Sequence, residues 1–153
     1  MANLYGDNYQ AALVDEPSSK VSVKDLHGKK RGAYDSITLG AEVALNDVIY
    51  IAQLPKGAKL IDARVVMPSD GTSGQYDIGW LSNGSDAADQ DGIFAGATEV
   101  DSGAGAVDAK MLGTAAGYHK EFANATDIVA TCIEATTASS GDKLQFELEY
   151  VVE

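Results

Sequence analysis

The sequence predicts an all-β fold, a single antiparallel β-sandwich with an extended N-terminal arm. Three observations lead to this prediction. Short runs of β-branched and aromatic residues recur at intervals of roughly 8–15 residues, a spacing typical of sandwiches and barrels. Several runs alternate between apolar and polar positions, as strands with one buried face do. Segments rich in Gly, Ser, Asp and Pro separate the runs and are typical of turns.

The closing segment alternates most regularly, and its predicted inward residues are Leu144, Phe146, Leu148, Tyr150 and Val152. A second alternating segment is predicted to bury Ile61, Ala63, Val65 and Met67. A third places Tyr76, Ile78 and Trp80 on one face. Between them, Gly79 leaves a bare patch where a neighbouring strand or subunit can approach closely.

Two further segments have the composition of strands. Residues 48–54 form an apolar run that ends at Pro55 and Gly57, and residues 126–136 are rich in β-branched side chains. About eight strands are expected in total, which suits two packed antiparallel sheets. A jelly roll and an immunoglobulin-like topology both stay open at this point. One helical turn is predicted around Asp86 to Phe94, where Ala and Asp cluster.

Residues 1–34 differ from the rest of the chain in composition. They are polar, show no sustained period, and contain five basic and four acidic side chains, a net charge of +1. The whole chain has a net charge of −12, so the remaining residues hold −13. We predict an extended N-terminal arm over residues 1–34 and a sandwich domain over 35–153. A frayed terminus is the alternative interpretation of the arm.

The charge and the cysteine content narrow the function classes. An acidic body repels phosphate backbones, so direct nucleic-acid binding is not expected. The single cysteine, Cys132, allows no intrachain disulfide and is interpreted as a small buried residue. No apolar run approaches the ~18 residues of a membrane span, and the N-terminus lacks the pattern of a signal peptide. We expect synthesis in the cytoplasm and no membrane partner.

Side chains that could perform chemistry are few. The two histidines, His27 and His119, have no partner at metal-ligand spacing, so structural roles are expected for them. The segment Asp86-Ala-Ala-Asp-Gln-Asp-Gly92 is the best candidate for a Ca²⁺ site, because closely spaced carboxylates before a glycine turn can chelate this ion. Compared with an EF-hand loop, it has Ala87 and Thr98 where acidic ligands belong. We interpret it as a solvated acidic turn or a helix start, and expect no metal, cofactor or catalytic residue.

The arm contains the candidate partner-binding residues. Its apolar anchors are scattered, and those selected are Tyr5, Tyr9 and Leu13. Its basic cluster consists of Lys29, Lys30 and Arg31. Three basic residues are a weak indication of nucleic-acid contact, and pairing with an acidic protein surface explains them equally well.

Two segments resemble a known group of proteins. The stretch Asp47 to Ala63, which includes Leu54-Pro-Lys-Gly-Ala58, is followed by Gln75-Tyr-Asp-Ile-Gly-Trp80. Together with Asp-Gly-Ile-Phe at 91–94 and the closing Tyr-Val-Val-Glu at 150–153, this pattern resembles the jelly-roll head decoration or cement proteins of tailed bacteriophages. The resemblance covers residues 35–153.

The resemblance implies a jelly-roll fold and a structural role without catalysis. It implies a virion protein on the outer capsid surface that bridges subunits of the major capsid protein, commonly as a homotrimer. A carbohydrate-binding tail or fibre adhesin is the alternative, because jelly rolls often bind sugars through exposed aromatic residues. Trp80, the single tryptophan, lies on an alternating apolar face, which favours core packing over sugar stacking. An enzyme is the least supported class.

Overall fold

A computed structural model of the chain describes residues 29–38, 44–67, 75–98, 108–111, 114–134 and 143–152. These residues form eight strands and no helix: β1 (Lys30–Thr38), β2 (Val48–Leu54), β3 (Lys59–Met67), β4 (Gln75–Trp80), β5 (Asp89–Thr98), β6 (Asp108–Met111), β7 (Thr126–Glu134) and β8 (Lys143–Val151). The all-β prediction is confirmed.

The eight strands form two four-stranded antiparallel sheets with the orders β1-β8-β3-β6 and β2-β7-β4-β5. Every connection between consecutive described strands, except that from β4 to β5, therefore crosses from one sheet to the other. In an immunoglobulin-like sandwich the first two strands pair within one sheet, whereas β1 and β2 lie in opposite sheets here. The order is that of a jelly roll, which decides between the two topologies that the sequence left open.

One apolar core fills the space between the sheets. Five of the eight residues predicted to face inward from β4 and the closing segment are buried in it, namely Tyr76, Ile78, Trp80, Phe146 and Leu148, and Tyr150 packs against it half-buried. Full burial of each large apolar side chain contributes about 1.5–3 kcal/mol relative to exposure. The core therefore fixes the register of both strands, because a slip of one residue would turn these side chains outward.

The predicted alternation of β3 is wrong at one position. Leu60 and Asp62 pair with the consecutive residues Tyr150 and Glu149 of β8, so Ile61 is the extra residue of a β-bulge. Ile61 is half-buried, while Leu60 before the bulge and Ala63 after it are in the core. A bulge depends on the partner strand and does not show in the periodicity of β3 alone.

The end of β8 also departs from the prediction. The strand ends at Val151, which is buried, and Val152 beyond it is only half-buried. The predicted alternation therefore ends where β8 ends and does not extend to Val152. Met67 and Leu144 were also predicted to face inward, and the structure describes only the strand positions of these two residues.

The predicted helical turn around Asp86 to Phe94 is wrong. Residues 86–88 are irregular, and Asp89 begins β5, which pairs with β4 through two irregularities of register. The Ala and Asp residues that favour a local helical turn are overridden by the burial of Ile93 and by this pairing.

The first strand begins inside the segment assigned to the arm. Residues 30–34 belong to β1 and pair with β8, from Lys30 opposite Val151 to Tyr34 opposite Glu147. Residues 1–28 lie outside the described part of the chain, so the extended arm stays a prediction for them.

The turn between β2 and β3 follows the motif Leu54-Pro-Lys-Gly-Ala58. The Ala58 N–H donates to the Pro55 carbonyl at 3.0 Å, and Gly57 has a φ of 76°, which glycine adopts without steric cost. The segment before β7 is bonded to this turn, since the Gly57 N–H donates to the Phe122 carbonyl and the Phe122 N–H to the Ala58 carbonyl. Phe122 itself is fully buried in the core.

Candidate interaction surfaces

The basic residues selected from the sequence lie at the start of β1. Lys29, Lys30 and Arg31 are exposed, as a contact with a partner requires. The ammonium nitrogen of Lys30 lies 2.5 Å from a carboxylate oxygen of Glu149 on β8, so part of its charge is already compensated within the chain. The other selected residues, Tyr5, Tyr9 and Leu13, lie outside the described residues.

Asp86 is the centre of a polar network between two loops. Its Oδ1 accepts a hydrogen bond from Lys120 Nζ at 2.7 Å. Its Oδ2 accepts bonds from Asn83 Nδ2 at 2.8 Å and from the Ala123 N–H at 2.9 Å. Asn83 Nδ2 also donates to the buried hydroxyl of Thr126 at 2.7 Å. The loop before β5 is therefore tied to the loop before β7.

These donors all favour the ionised carboxylate. The hydrogen bond from Lys120, followed by those from Asn83 and Ala123, lowers the pKa of Asp86 from 3.8 to about 2. The pKa of Asp89 is raised instead, first by burial and then by the neighbouring Asp91 carboxyl, and Lys120 partly opposes this rise. The pKa values of these two carboxyl groups, three residues apart, are thus shifted in opposite directions.

The interpretation of residues 86–92 as a solvated turn needs correction at Asp86. Only 13% of its side chain is exposed, and both of its oxygens already accept hydrogen bonds from the chain. Among the residues that the structure describes, no three His, Cys, Asp or Glu side chains are arranged to hold a metal ion. The acidic segment therefore has a structural role at Asp86, where it fastens two loops.

Trp80 occupies the core, as its position on an apolar face predicts. It is 3% exposed, its indole N–H donates to the Ala87 carbonyl at 3.1 Å, and its ring meets that of Phe122 edge to face at 5.4 Å. Lys120 Nζ lies 5.9 Å from the Trp80 ring centroid. A buried ring cannot stack on a sugar, so Trp80 offers no sugar-binding face.

Close approach at Gly79 is confirmed, and a strand of the same chain makes it. A Cβ atom placed there would collide with the Asp89 carbonyl and with the Gln90 backbone. Gly92 is similarly covered by the Trp80 ring. Both glycines allow β5 to fold tightly over β4, where their register is irregular.

The remaining chemical candidates have structural positions. Cys132 is buried in the core, as expected. His119 lies in an exposed turn with a φ of 58° and stacks on Tyr118 at 4.3 Å between centroids. His27 lies outside the described part of the chain.

The sequence interpretation missed an exposed apolar surface along β2. Val48 and Tyr50 point outward there, and Ile133 at the end of β7 is exposed as well. The sequence of β2 contained a signal for this surface. The strand has no charged residue and has apolar side chains on both faces, which is typical of strands that are covered on both sides.

The described residues include no helix that is long and apolar enough to cross a membrane. No protein-family model matches the sequence, and no curated protein matches it. Solved structures do match. A chain in the capsid of Ralstonia phage GP4 is 20% identical, with a TM-score of 0.67 over 88% of this chain and 92% of that chain.

Two further solved structures are similar. A chain of the cyanophage Pam1 capsid asymmetric unit is 15% identical, with a TM-score of 0.61 over 92% of this chain and 99% of that chain. A chain in the acidic stable capsid structure of Helicobacter pylori bacteriophage KHP30 is 13% identical, with a TM-score of 0.54 over 83% and 90%. At these identities the likeness establishes the class of fold, a jelly-roll-like sandwich that also occurs in phage capsids.

Proposed function

We propose that the protein is a virion structural protein that decorates the outer surface of a tailed-phage capsid. In this role it bridges subunits of the major capsid protein, as a homotrimer, and cements the head. The observation that supports this most is the fold: the structural likeness extends over at least 83% of this chain and at least 90% of each of three chains from phage capsids. The likeness thus spans the whole sandwich rather than one motif.

The charge distribution supports the outer surface over the inner one. Outside residues 1–34 the chain has a net charge of −13, the difference between the total of −12 and the +1 of that segment. A protein on the inner surface would face packaged DNA, whose phosphates repel an acidic body. A protein on the outer surface faces solvent and does not meet this repulsion.

The polar groups of the described residues also fit a structural role. The best-connected cluster, around Asp86 and Lys120, joins two loops and covers Trp80. Its groups satisfy one another, whereas a catalytic group needs an open position beside a substrate. A structural protein instead needs stable loops that hold a surface in shape.

Attachment is proposed to involve residues 1–34 together with the basic start of β1. Lys29, Lys30 and Arg31 are exposed at the point where the arm joins the sheet. Tyr5, Tyr9 and Leu13 are proposed to contact a neighbouring subunit. The arm is nearly neutral, so it can approach an acidic capsid surface with less repulsion than the body.

Copy number provides the test. Purified virions that contain the protein are analysed by quantitative mass spectrometry, with the major capsid protein as internal reference. A decoration protein is expected in numbers comparable to the major capsid protein. A small fraction of that number would contradict the proposal and would favour a tail or fibre component.

A further inference from the structure

Most of the exposed large apolar residues of the described chain lie on or next to two strands, β1 and β2. Six large hydrophobic residues are exposed among the described residues, namely Tyr34, Leu45, Val48, Tyr50, Tyr118 and Ile133. All except Tyr118 lie on β1, on β2, in the turn before β2, or at the end of β7 that pairs with that turn. Among the described strands, β1 is one edge of its sheet and β2 is one edge of the other, and the two strands approach each other.

Four of these residues form what we call the β2 surface: Leu45, Val48, Tyr50 and Ile133. Val48 and Tyr50 alternate with the core residues Ile49 and Ile51, so they point away from the core. Leu45 adjoins the end of β7, because the Asn46 N–H donates to the Cys132 carbonyl at 2.8 Å. Tyr50 is 63% exposed and Leu45 56%, so the surface is open in the single chain.

An open edge of this composition is unusual in a protein that stays monomeric. Natural edge strands are commonly protected by charged residues, proline or bulges that hinder pairing with another chain. β2 has no charged residue and no proline among its seven positions. Its pairing with β7 has one register shift, between Tyr50 and Ala52, and Ile51 at this shift stays in the core. β1, the neighbouring edge, contains Lys30, Arg31 and Asp35.

Electrostatics indicate what covers the β2 surface. Each chain has a net charge of −12, so two copies repel each other wherever acidic surfaces meet. The β2 surface itself consists of three aliphatic side chains and one tyrosine and contributes no charge to a contact between two copies, while the exposed acids Asp47 and Glu134 lie beside it. Its exposed tyrosine belongs to the residue types that dominate the binding energy of protein interfaces.

We propose that the β2 surface is the contact through which copies of this chain associate. The inference deepens the proposed function, since it assigns residues to the homotrimer contact, and it rests on that function only for the number of copies. It is tested without capsids, so its failure is distinguishable from failure of the decoration role.

The test is sedimentation equilibrium of the isolated full-length protein and of three variants. Tyr50→Glu and Val48→Lys each place a charge on the β2 surface. Tyr118→Glu is the matched control, because Tyr118 is 62% exposed but lies in the loop before β7. Circular dichroism checks that each variant is folded, and the two β2 variants differ in size and sign of charge, so one misfolded protein does not decide the result.

We expect wild type and Tyr118→Glu to sediment as oligomers. Tyr50→Glu and Val48→Lys should weaken self-association by roughly 30-fold or more, the effect of losing an interface hot spot. A monomeric wild type at all accessible concentrations would overturn the inference, as would oligomers that both β2 variants leave intact. A monomeric wild type whose capsid binding is lost in Tyr50→Glu would also overturn it, because the surface would then contact the capsid protein.

Discussion

Lys120 Nζ lies 2.7 Å from the Oδ1 of Asp86, 34 positions earlier in the chain, and this pair joins the loops before β5 and β7. The two side chains are 27% and 13% exposed, so water weakens the interaction only in part. Because Lys120 also lies over Trp80 and Phe122, the pair closes one end of the core with a charged group.

The lowered pKa of Asp86 predicts a pH dependence of stability. The pKa falls from 3.8 to about 2 on folding, so the stabilisation is fully present above pH 4 and is lost as the pH falls through 2. Asp86→Asn should lower the free energy of unfolding by about 1–2 kcal/mol at pH 7, after a discount for partial exposure. Urea unfolding at pH 7 and near pH 2 measures the difference.

The variant and the wild type should converge in stability as the pH falls through 2, because the folded carboxyl then takes up the proton that the unfolded one already holds. Asp62→Asn is the control: Asp62 accepts a hydrogen bond from the adjacent Ala63 N–H at 2.9 Å, and its contact with the exposed Arg64 is 3.9 Å long. An equal loss of stability from both substitutions at pH 7 would show that the network around Asp86 has no special role.

The core predicts a large cost for truncating Phe146. This residue is 4% exposed between the two sheets, and Phe→Ala substitutions in cores typically cost about 3–5 kcal/mol. Tyr34→Ala is the matched control, because Tyr34 lies on the neighbouring strand β1 and is 66% exposed. Chemical denaturation of both variants gives the comparison. A loss below about 1 kcal/mol for Phe146→Ala would mean that the register of β8 is different.

The close approach at Gly79 predicts that even a methyl group is not tolerated there. Gly79→Ala would place Cβ against the Asp89 carbonyl, which is backbone and cannot rotate away, so a loss of about 1–3 kcal/mol or more is expected. Gly32→Ala on β1 has no atom within 4 Å of the new Cβ and should leave stability nearly unchanged. Thermal unfolding of the two variants decides the matter. Equal melting temperatures would contradict the described path of β5 over β4.

The basic start of β1 predicts salt-sensitive attachment. Lys29→Glu combined with Arg31→Glu should weaken binding to capsids, and the loss should shrink as ionic strength rises, because screening reduces the repulsion. These two positions avoid Lys30, whose pairing with Glu149 would mix a stability effect into the measurement. Lys56→Glu, at the exposed turn between β2 and β3, is the control. Equal capsid occupancy of all three proteins, measured in a pelleting assay, would remove the basic cluster from the attachment surface.

Much of the fold follows from local patterns. The alternation of Tyr76, Ile78 and Trp80 predicts one face of β4, and Pro55 with Gly57 predicts the turn after β2, because both features depend on backbone geometry within a few residues. The bulge at Ile61 and the strand at Asp89 depend on partners distant in sequence, so periodicity does not show them. Strand pairing in these places overrides the local preference.

The candidate surfaces show the same division. Exposure of Lys29, Lys30 and Arg31 follows from their charge, whereas the bond from Lys120 to Asp86 arises only when the fold brings the two loops together. Phe122 is buried although its neighbours Glu121 and Ala123 are exposed, so no apolar pattern marks it. The β2 surface could have been predicted, since a strand without charged residues can be recognised in the sequence.

The outer-surface decoration role is tested most directly by adding the purified protein to capsids that lack it and reconstructing the particles by cryo-electron microscopy. We predict density for the eight-stranded sandwich on the outside of the shell, at junctions between major capsid protein subunits, and none on particles without the added protein. Absence of such density at saturating protein, or density confined to the tail, would contradict the proposed function.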